Sequence, residues 1–446
     1  MAVYIEPRVL KGFRDFLPPA EIVRRSLTEK IEASFRSFGF VPIDTPALEY
    51  ADILLGKGGG ETEKQIYRFT DNGGREVALR FDLTVPFARF IALHYSELAF
   101  PFKRYHIGKV WRGENTQRGR YREFTQCDFD IIGSDSAAAD FEILLLICST
   151  LQSLGIDVTI HVNHRGIFNR FLEHIEQSKN SVEILRTVDK LSKVGEDETL
   201  KSLSELAGEA NAKKILEFIG AKGSFTEVLE HITKLAGGTC PESERLYDLR
   251  RYMDEFNENT SIKNISTNPF VLDPSITRGL DYYTGVVFET FLNKMPDIGS
   301  ICSGGRYDNL AGLYSKSNNS ISGVGSSIGL DRLLAALEAL GSESAPDTGK
   351  AAIACVIAEK SGQYQALADK FRQAGISCEV FVDACGEKNL VKQYQLAEKK
   401  GLRFVIIPGE DILNGSVTLR DLPNRQNTEM SIKEAISIMG TSKNSF

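Results

Sequence analysis

The sequence predicts an α+β body containing a strand pair, interrupted by a helical insertion and followed by a C-terminal α/β module. Three observations carry this reading. Two alternating stretches, "FKRYHIGKVWRGE" and "YREFTQCDFDIIG", flank a polar loop of Asn115 to Arg120. From His164 to about Asn264 the texture turns helical and charged, as in "EILRTVDKLSKVGEDETLKSLSELAG". After "GSESAPDTGK", Gly341 to Lys350, a linker by composition, strand-like and helix-like stretches alternate.

The elements follow in order. Ile22, Val23, Leu27, Ile31, Phe35 and Phe38 recur at helical spacing, so Ala20–Phe38 reads as an amphipathic helix ended by Gly39. "FVPIDTP" reads as a short strand closed by Pro46, and "EVALRFDLTVPFARFIA" as a strand, a turn at Asp82–Pro86 and a helix start. A helix is expected at Ala137–Leu154, then the strand "IDVTIHVN". Beyond the insertion, strand texture resumes at "PFVLDPSITRGLDYYTGVVFETFL", and "GVGSSIGLDRLLAALEAL" leads from a strand or Gly-rich turn into a helix. In the tail, "AAIACVIA", "SCEVFV" and "FVIIPG" alternate with helices, which indicates a largely parallel sheet.

With 446 residues, 42% hydrophobic and 25% charged, the chain has the composition of a soluble globular protein of two or three domains. Its beginning lacks a signal-peptide apolar run, and no stretch approaches the length of a membrane span. The seven cysteines are scattered without CxxC spacing, which argues against a disulfide framework or a structural zinc site and suits a reducing, cytoplasmic setting. The net charge of −7 disfavours nonspecific nucleic-acid binding. From Lys350 onward, however, 13 basic residues stand against 11 acidic ones, while the remainder has 40 against 49. A mildly basic tail on an acidic body is compatible with local contact to a polyanion.

The stretch "RGENTQRGRYREFTQCDFD", Arg112 to Asp130, packs four arginines and four carboxylates into nineteen residues. In a strand, residues two apart share a face, so Arg122, Phe124, Gln126, Asp128 and Asp130 fall together, with Thr125, Cys127, Phe129 and Ile131 opposite. Arginine forks suit phosphate oxygens, an aromatic plane suits a purine, and an amide with carboxylates suits a small cationic group. An exposed strand with solvated charges would share this pattern. "RFDLT" places Asp82 and Thr84 on one face at a strand end, and "TRGLDYYTG" sets Arg278 and Asp281 beside Tyr282 and Tyr283. Such charges fit an apolar core only when paired. "GVGSSIGLDRLL" is neither a dinucleotide fingerprint nor a P-loop, and "SGGRYDNL" alone reads as a turn.

Together these stretches resemble the histidyl-tRNA synthetase family of class II aminoacyl-tRNA synthetases. "GFVPIDTPALEY", "VWRGENTQRGRYREFTQCDFDIIG" and "GVGSSIGLDRLL" look like class motifs 1, 2 and 3. "RGLDYYTG" and "SGGRYDNL" resemble the two histidine-specific signatures, which are more specific than the class motifs. "GEKNLVKQYQLAEKKGLRFVIIPGED" is similar to the family's anticodon-binding domain. The resemblance implies a catalytic domain over 1–340, with a six-stranded antiparallel sheet flanked by helices, interrupted by a helical insertion domain at 165–264. A linker at 341–350 and an anticodon-binding α/β domain at 351–446 would follow.

By resemblance, Arg112 grips the α-phosphate of ATP, Glu114 reads the adenine amino group and Phe124 stacks on the adenine. Arg120 and Arg122 lie at the phosphates or the tRNA end, and Arg332 at the γ-phosphate. Asp82, Thr84 and Gln126 hold the histidine ammonium, with Leu83 between the first two. Asp130 and Tyr283 meet the imidazole, with Tyr282 beside it. Arg278 is the catalyst near the α-phosphate, with Arg112. The implied ligands are ATP with Mg2+, L-histidine and tRNA(His), without a tightly held protein metal. The implied assembly is a homodimer away from membranes. The chain has Asp82 and Asp130 where many bacterial members of the family carry Glu, so the pocket must close in by about a methylene. The rival reading is a noncatalytic synthetase-like regulatory subunit of histidine biosynthesis, which would lack the tail domain and the intact signatures.

Overall fold

The computed structural model describes residues 4–56, 61–189, 191–259, 269–276, 283–308, 310–314, 321–341, 351–386 and 389–441. Arg278 and Tyr282, with the rest of 277–282, lie outside the described residues, as does most of the expected linker. The chain divides into two compact units, Met1–Ser342 and Glu343–Phe446.

The first unit is built on an eight-stranded sheet. Its strands are β1 (Val41–Pro42), β5 (Phe102–Trp111), β6 (Glu123–Ile132), β7 (Val158–His164), β8 (Phe270–Leu272), β9 (Val286–Leu292), β10 (Cys302–Tyr307) and β11 (Gly323–Gly329), in the order β1-β5-β6-β11-β10-β9-β7-β8. The six inner strands pair antiparallel throughout, and the short β1 and β8 add parallel edges. Three further strands, β2 (Leu48–Tyr50), β3 (Arg68–Thr70) and β4 (Glu76–Leu79), form a small sheet of their own in the order β2-β4-β3.

Helices cover one face of the large sheet because its strands present apolar side chains there. The Pro18–Ser37 helix opens on two prolines, whose missing N–H groups cost nothing in a first turn, and buries Leu27, Ile31 and Phe35. Phe35 meets Phe129 of β6 with ring centroids 4.7 Å apart. Cys127 and Ile131 join the same core, so this face of β6 packs. The helical stretch shares that core. Phe168, Phe171 and Phe218 belong to one apolar cluster with the sheet, and Phe171 stacks on Phe218 at 4.6 Å.

Two local readings differ from the structure. "SGGRYDNL" does not begin as a turn: Ser303 to Tyr307 run within β10. A Cβ on Gly304 would stand 2.2 Å from the Gly325 carbonyl oxygen, so β10 and β11 approach as only glycine allows. The helix after "RFDL" starts at Thr84, with Pro86 inside its first turn, where a proline ring is tolerated.

The second unit is a five-stranded sheet of β12 (Ala351–Ile353), β13 (Cys378–Val380), β14 (Phe404–Pro408), β15 (Ser416–Asp421) and β16 (Gln426–Ser431), ordered β13-β12-β14-β15-β16. The expected parallel sheet is only half of it. β12 pairs parallel with β13 and β14, and an antiparallel β15–β16 hairpin completes the rest. Among the described residues no helix is long and apolar enough to cross a membrane.

Candidate active site

Burial along β6 separates its two faces' roles. The face away from the helices carries Phe124, Gln126, Asp128 and Asp130, and the antiparallel partners set what each one meets. Val110 and Gly108 of β5 lie across from Phe124 and Gln126, while Arg104 lies across from Asp130. On the other side Gly329, Ser327 and Gly325 of β11 face Gln126, Asp128 and Asp130. A cavity of about 200 Å3 opens on this face. Its wall includes Asp82, Thr84, Arg112, Glu114, Arg120, Phe124, Gln126, Tyr283 and Arg332 from the sequence reading, brought from five separate chain segments.

At one end the cavity is cationic. Arg112 leaves the end of β5, its Nε donating to the Phe81 carbonyl at 2.8 Å and its guanidinium standing 5.2 Å from the Phe124 ring. The loop that follows closes on itself, with Arg112 N donating to Arg122 O at 2.9 Å and Arg120 N to Gln117 O at 2.8 Å. Gly119 at its tip has φ +70°, and a Cβ there would lie 3.2 Å from Arg332 Cγ, so the tip rests against Arg332. Arg332 sits in the first turn of the Leu330–Ala339 helix and donates to the Ser300 carbonyl. Burial pushes its guanidinium below the usual range, and the charges of Arg120 and Arg112 push the same way, against Glu114 and Glu289. Three like charges held close and only partly compensated are able to receive an anion.

Along β6 toward Asp130 the side chains are amide or acidic, and of Asp82, Asp128 and Asp130 only Asp82 lines the cavity. Asp82 is 1% exposed, and its Oδ1 accepts the Val85 N–H at 3.0 Å, holding the start of the Thr84–His94 helix. Gln126 Nε2 donates to Ser327 Oγ at 2.9 Å, while Oε1 takes no hydrogen bond among the described residues. Asp128 is fully enclosed; burial pushes its carboxyl up to about 7, with Asp130 and Asp82 adding to the shift and Arg104 and Ser327 opposing it. Its Oδ1 also lacks a hydrogen bond among the described residues.

Asp130 lies outside the cavity wall. Arg104 Nη2 reaches its Oδ2 at 2.6 Å, and the Tyr307 hydroxyl donates to Oδ1 at 2.5 Å. Burial raises its carboxyl, against Arg104 and Tyr307. Arg104 has no side-chain exposure and lies 4.0 Å from the Phe87 ring centroid. A Cβ on Gly325 would fall 1.9 Å from Asp130 Oδ1, so that glycine makes room for the pair. Leu83 is buried and Arg122 hydrogen-bonds the Glu114 carbonyl at 3.2 Å; neither lines the cavity. Asp128, Arg104, Ser327 and Asp331 were not singled out as site residues from the sequence. Asp128 shares the face of Gln126 in the alternating pattern, but the partners of Arg104 and Ser327 follow from strand register, and Asp331 sits on the helix that bears Arg332.

Antiparallel strands carrying an arginine-rich hairpin, with a glycine-rich strand feeding a helix that bears Arg332, define a class II aminoacyl-tRNA synthetase catalytic domain. Residues 12–333 match the family model for histidyl-tRNA synthetase, and residues 350–441 match that for an anticodon binding domain. The chain is 51% identical to a histidine–tRNA ligase of Treponema denticola, with both chains covered in full. It is 48% identical to that of Treponema pallidum, covering 96% of this chain and 97% of the relative. The crystal structure of histidyl-tRNA synthetase from Nostoc sp. PCC 7120 superposes with a TM-score of 0.83 at 29% identity, over 98% of this chain and 100% of that one. The chain belongs to the histidyl-tRNA synthetase family.

Proposed function

We propose that the cavity on β6 is where this chain joins histidine to ATP. The enzyme attaches L-histidine to its cognate tRNA through a histidyl-adenylate. The match of residues 350–441 to an anticodon binding domain disfavours the regulatory-subunit reading, which lacks that domain. The observation that carries the site assignment is the composition of the cavity wall. Arg112, Arg120, Arg332 and Phe124 share it with Asp82 and Gln126.

In this reading Phe124 and Glu114 receive the adenine, and the three arginines, with Arg122 at the rim, receive the phosphates. Asp82, Thr84 and the free Gln126 Oε1 receive the ammonium, with Leu83 supplying backbone only. Tyr283 meets the imidazole, and Asp130 and Tyr282 are assigned to it by family resemblance. The histidine carboxylate is already ionised at neutral pH, so attack on the α-phosphate needs no general base. Negative charge grows on the phosphate oxygens as the bond forms, and fixed guanidiniums lower the barrier without reorganising. Arg278 is assigned as a further such cation by family resemblance. Mg2+ would neutralise charge on the phosphates; we assign it to ATP, with Glu289, a wall carboxylate whose charge reaches Arg332, as its neighbour.

The assembly proposed is a homodimer in the cytoplasm. Val41, Leu48 and Tyr50, all within the motif 1 resemblance, are 40–54% exposed, and with Phe69 of β3, 47% exposed, offer apolar surface suited to a second copy. We assign 1–340 to catalysis, 165–264 to the insertion, 341–350 to the linker and 351–446 to tRNA. ATP–pyrophosphate exchange with each amino acid in turn tests the central reading: exchange should occur with histidine alone. Arg278→Ala should slow adenylate formation by ~100-fold. Exchange with another amino acid, or a folded Arg278→Ala enzyme at full rate, would overturn the corresponding assignment.

A further inference from the structure

We propose that Arg14 is a positioning residue for the ATP end of the cavity; this rests on the assignment of that end to ATP. The segment that carries Arg14 is stitched to the arginine-rich hairpin: Arg122 N donates to the Gly12 carbonyl at 2.8 Å. The Gly12 φ of +87° and a clearance that would leave a Cβ 2.7 Å from Arg122 Cγ make this contact specific to glycine. Two residues on, the Arg14 guanidinium lies 4.3 Å from the Phe16 ring centroid and 4.1 Å from that of Tyr121. Nη1 donates to the Tyr121 hydroxyl at 3.0 Å, and Nη2 pairs with Asp331 Oδ1 at 2.7 Å. Tyr121 and Asp331 both belong to the cavity wall. One side chain therefore joins the hairpin loop to the helix that bears Arg332.

The charge of Asp331 gives the contact its consequence. This carboxylate is 3% exposed and precedes Arg332. Its second oxygen accepts the Thr125 N–H at 2.6 Å, beside Phe124. Arg14 is its ion-pair partner at 2.7 Å. Without Arg14 a nearly buried negative charge stands uncompensated in the wall where phosphates are to bind, which opposes ATP and leaves the amino-acid end untouched. Arg14 touches neither ligand in this arrangement, so its effect passes through Asp331 and Tyr121.

The test measures ATP–pyrophosphate exchange by the full chain while ATP and histidine are varied separately. Arg14→Ala should raise the ATP KM about tenfold and leave the histidine KM within about twofold. Adding Asp331→Asn to Arg14→Ala should restore part of the loss, because the uncompensated charge is gone while an acceptor for Thr125 remains. A purely structural role predicts neither the split nor the rescue. Arg14→Lys, which keeps the charge and loses the fork, should raise the ATP KM about twofold to threefold and is decisive if Arg14→Ala does not fold. An unchanged ATP KM in either folded variant, or an equal rise in both KM values, overturns the proposal. Arg332→Ala separates the two readings: if it raises the ATP KM while the Arg14 variants do not, Arg14 is dismissed and the ATP site stands. If Arg332→Ala also leaves ATP binding unchanged, the site assignment itself fails.

Discussion

Two regions along β6, one in the cavity wall and one buried beside it, solve opposite electrostatic problems. Near Phe124, three guanidiniums are held together by backbone anchors such as Phe81 O and Ser300 O, neither of which neutralises them. Near Asp130, the negative charges are buried, and Arg104 compensates within the sheet itself. The first region, where Glu114 stands 3.8 Å from Arg120, leaves its positive charge only partly compensated; the second commits the fully buried Arg104 to the protein. β6 spans both, so a single strand carries the change from aromatic to amide to carboxylate in four alternating residues, Phe124, Gln126, Asp128 and Asp130. The lesson is that line-up on a strand face identifies a site, while pairing across strands decides which groups remain available.

Breaking the committed end should cost the most stability. Asp130→Asn leaves Arg104 charged and enclosed, and urea unfolding should show a loss of about 3–5 kcal/mol; a loss below 1 kcal/mol would mean the pair is not buried as described. Breaking the open end should instead cost rate. Arg112→Ala should lower kcat/KM for adenylation by ~100-fold, about 2.7 kcal/mol, with stability nearly unchanged. Single-turnover measurement and unfolding of the same variant check both halves.

The Asp128 carboxyl sharpens the comparison through pH. Its folded value near 7 lies above the ordinary carboxyl range, so the folded chain holds an extra proton between the two. That contribution is fully present below pH ~4 and is lost as pH climbs through about 7. Between pH 6 and 8 the wild type should therefore lose about 1 kcal/mol relative to Asp128→Asn. Parallel stability curves would exclude the shift. The smallest effect belongs to charge at neither end: Lys213 pairs with Glu209 at 2.6 Å with both side chains mostly exposed, and Lys213→Gln should change stability by less than about 0.5 kcal/mol.

Much of this site was legible in the sequence because it is written on one strand. Alternation alone separates Phe124, Gln126, Asp128 and Asp130 from Thr125, Cys127 and Phe129, and the structure keeps that division. Arg104 was not legible. Nothing in "FKRYHIG" says it will lie across from Asp130, because register is set by partners outside its own strand. Asp331 and Arg14 are separated by 317 positions, and only the folded chain brings them together. The β15–β16 hairpin was missed for a different reason. β16 is exposed along nearly its whole length and so lacks an apolar face to betray it. "SGGRY" misled because glycine usually signals a turn; here it marks two strands in close approach.

The presence of Arg112 and Asp82 in one cavity wall has a consequence, under the proposed function, for how a substrate would arrive. An amino acid is itself a dipole, and fixed charges of both signs in the wall would exert a torque on it before any specific contact forms. The favoured approach would turn the carboxylate toward Arg112 and the ammonium toward Asp82, the alignment that attack on an arginine-held phosphate would need. The reversed approach would set like charges against each other, and in a low-dielectric pocket that penalty would fall on the encounter itself. Direction of approach would then be selected by the field of the sheet, and the side chain would be inspected only in molecules already facing the right way.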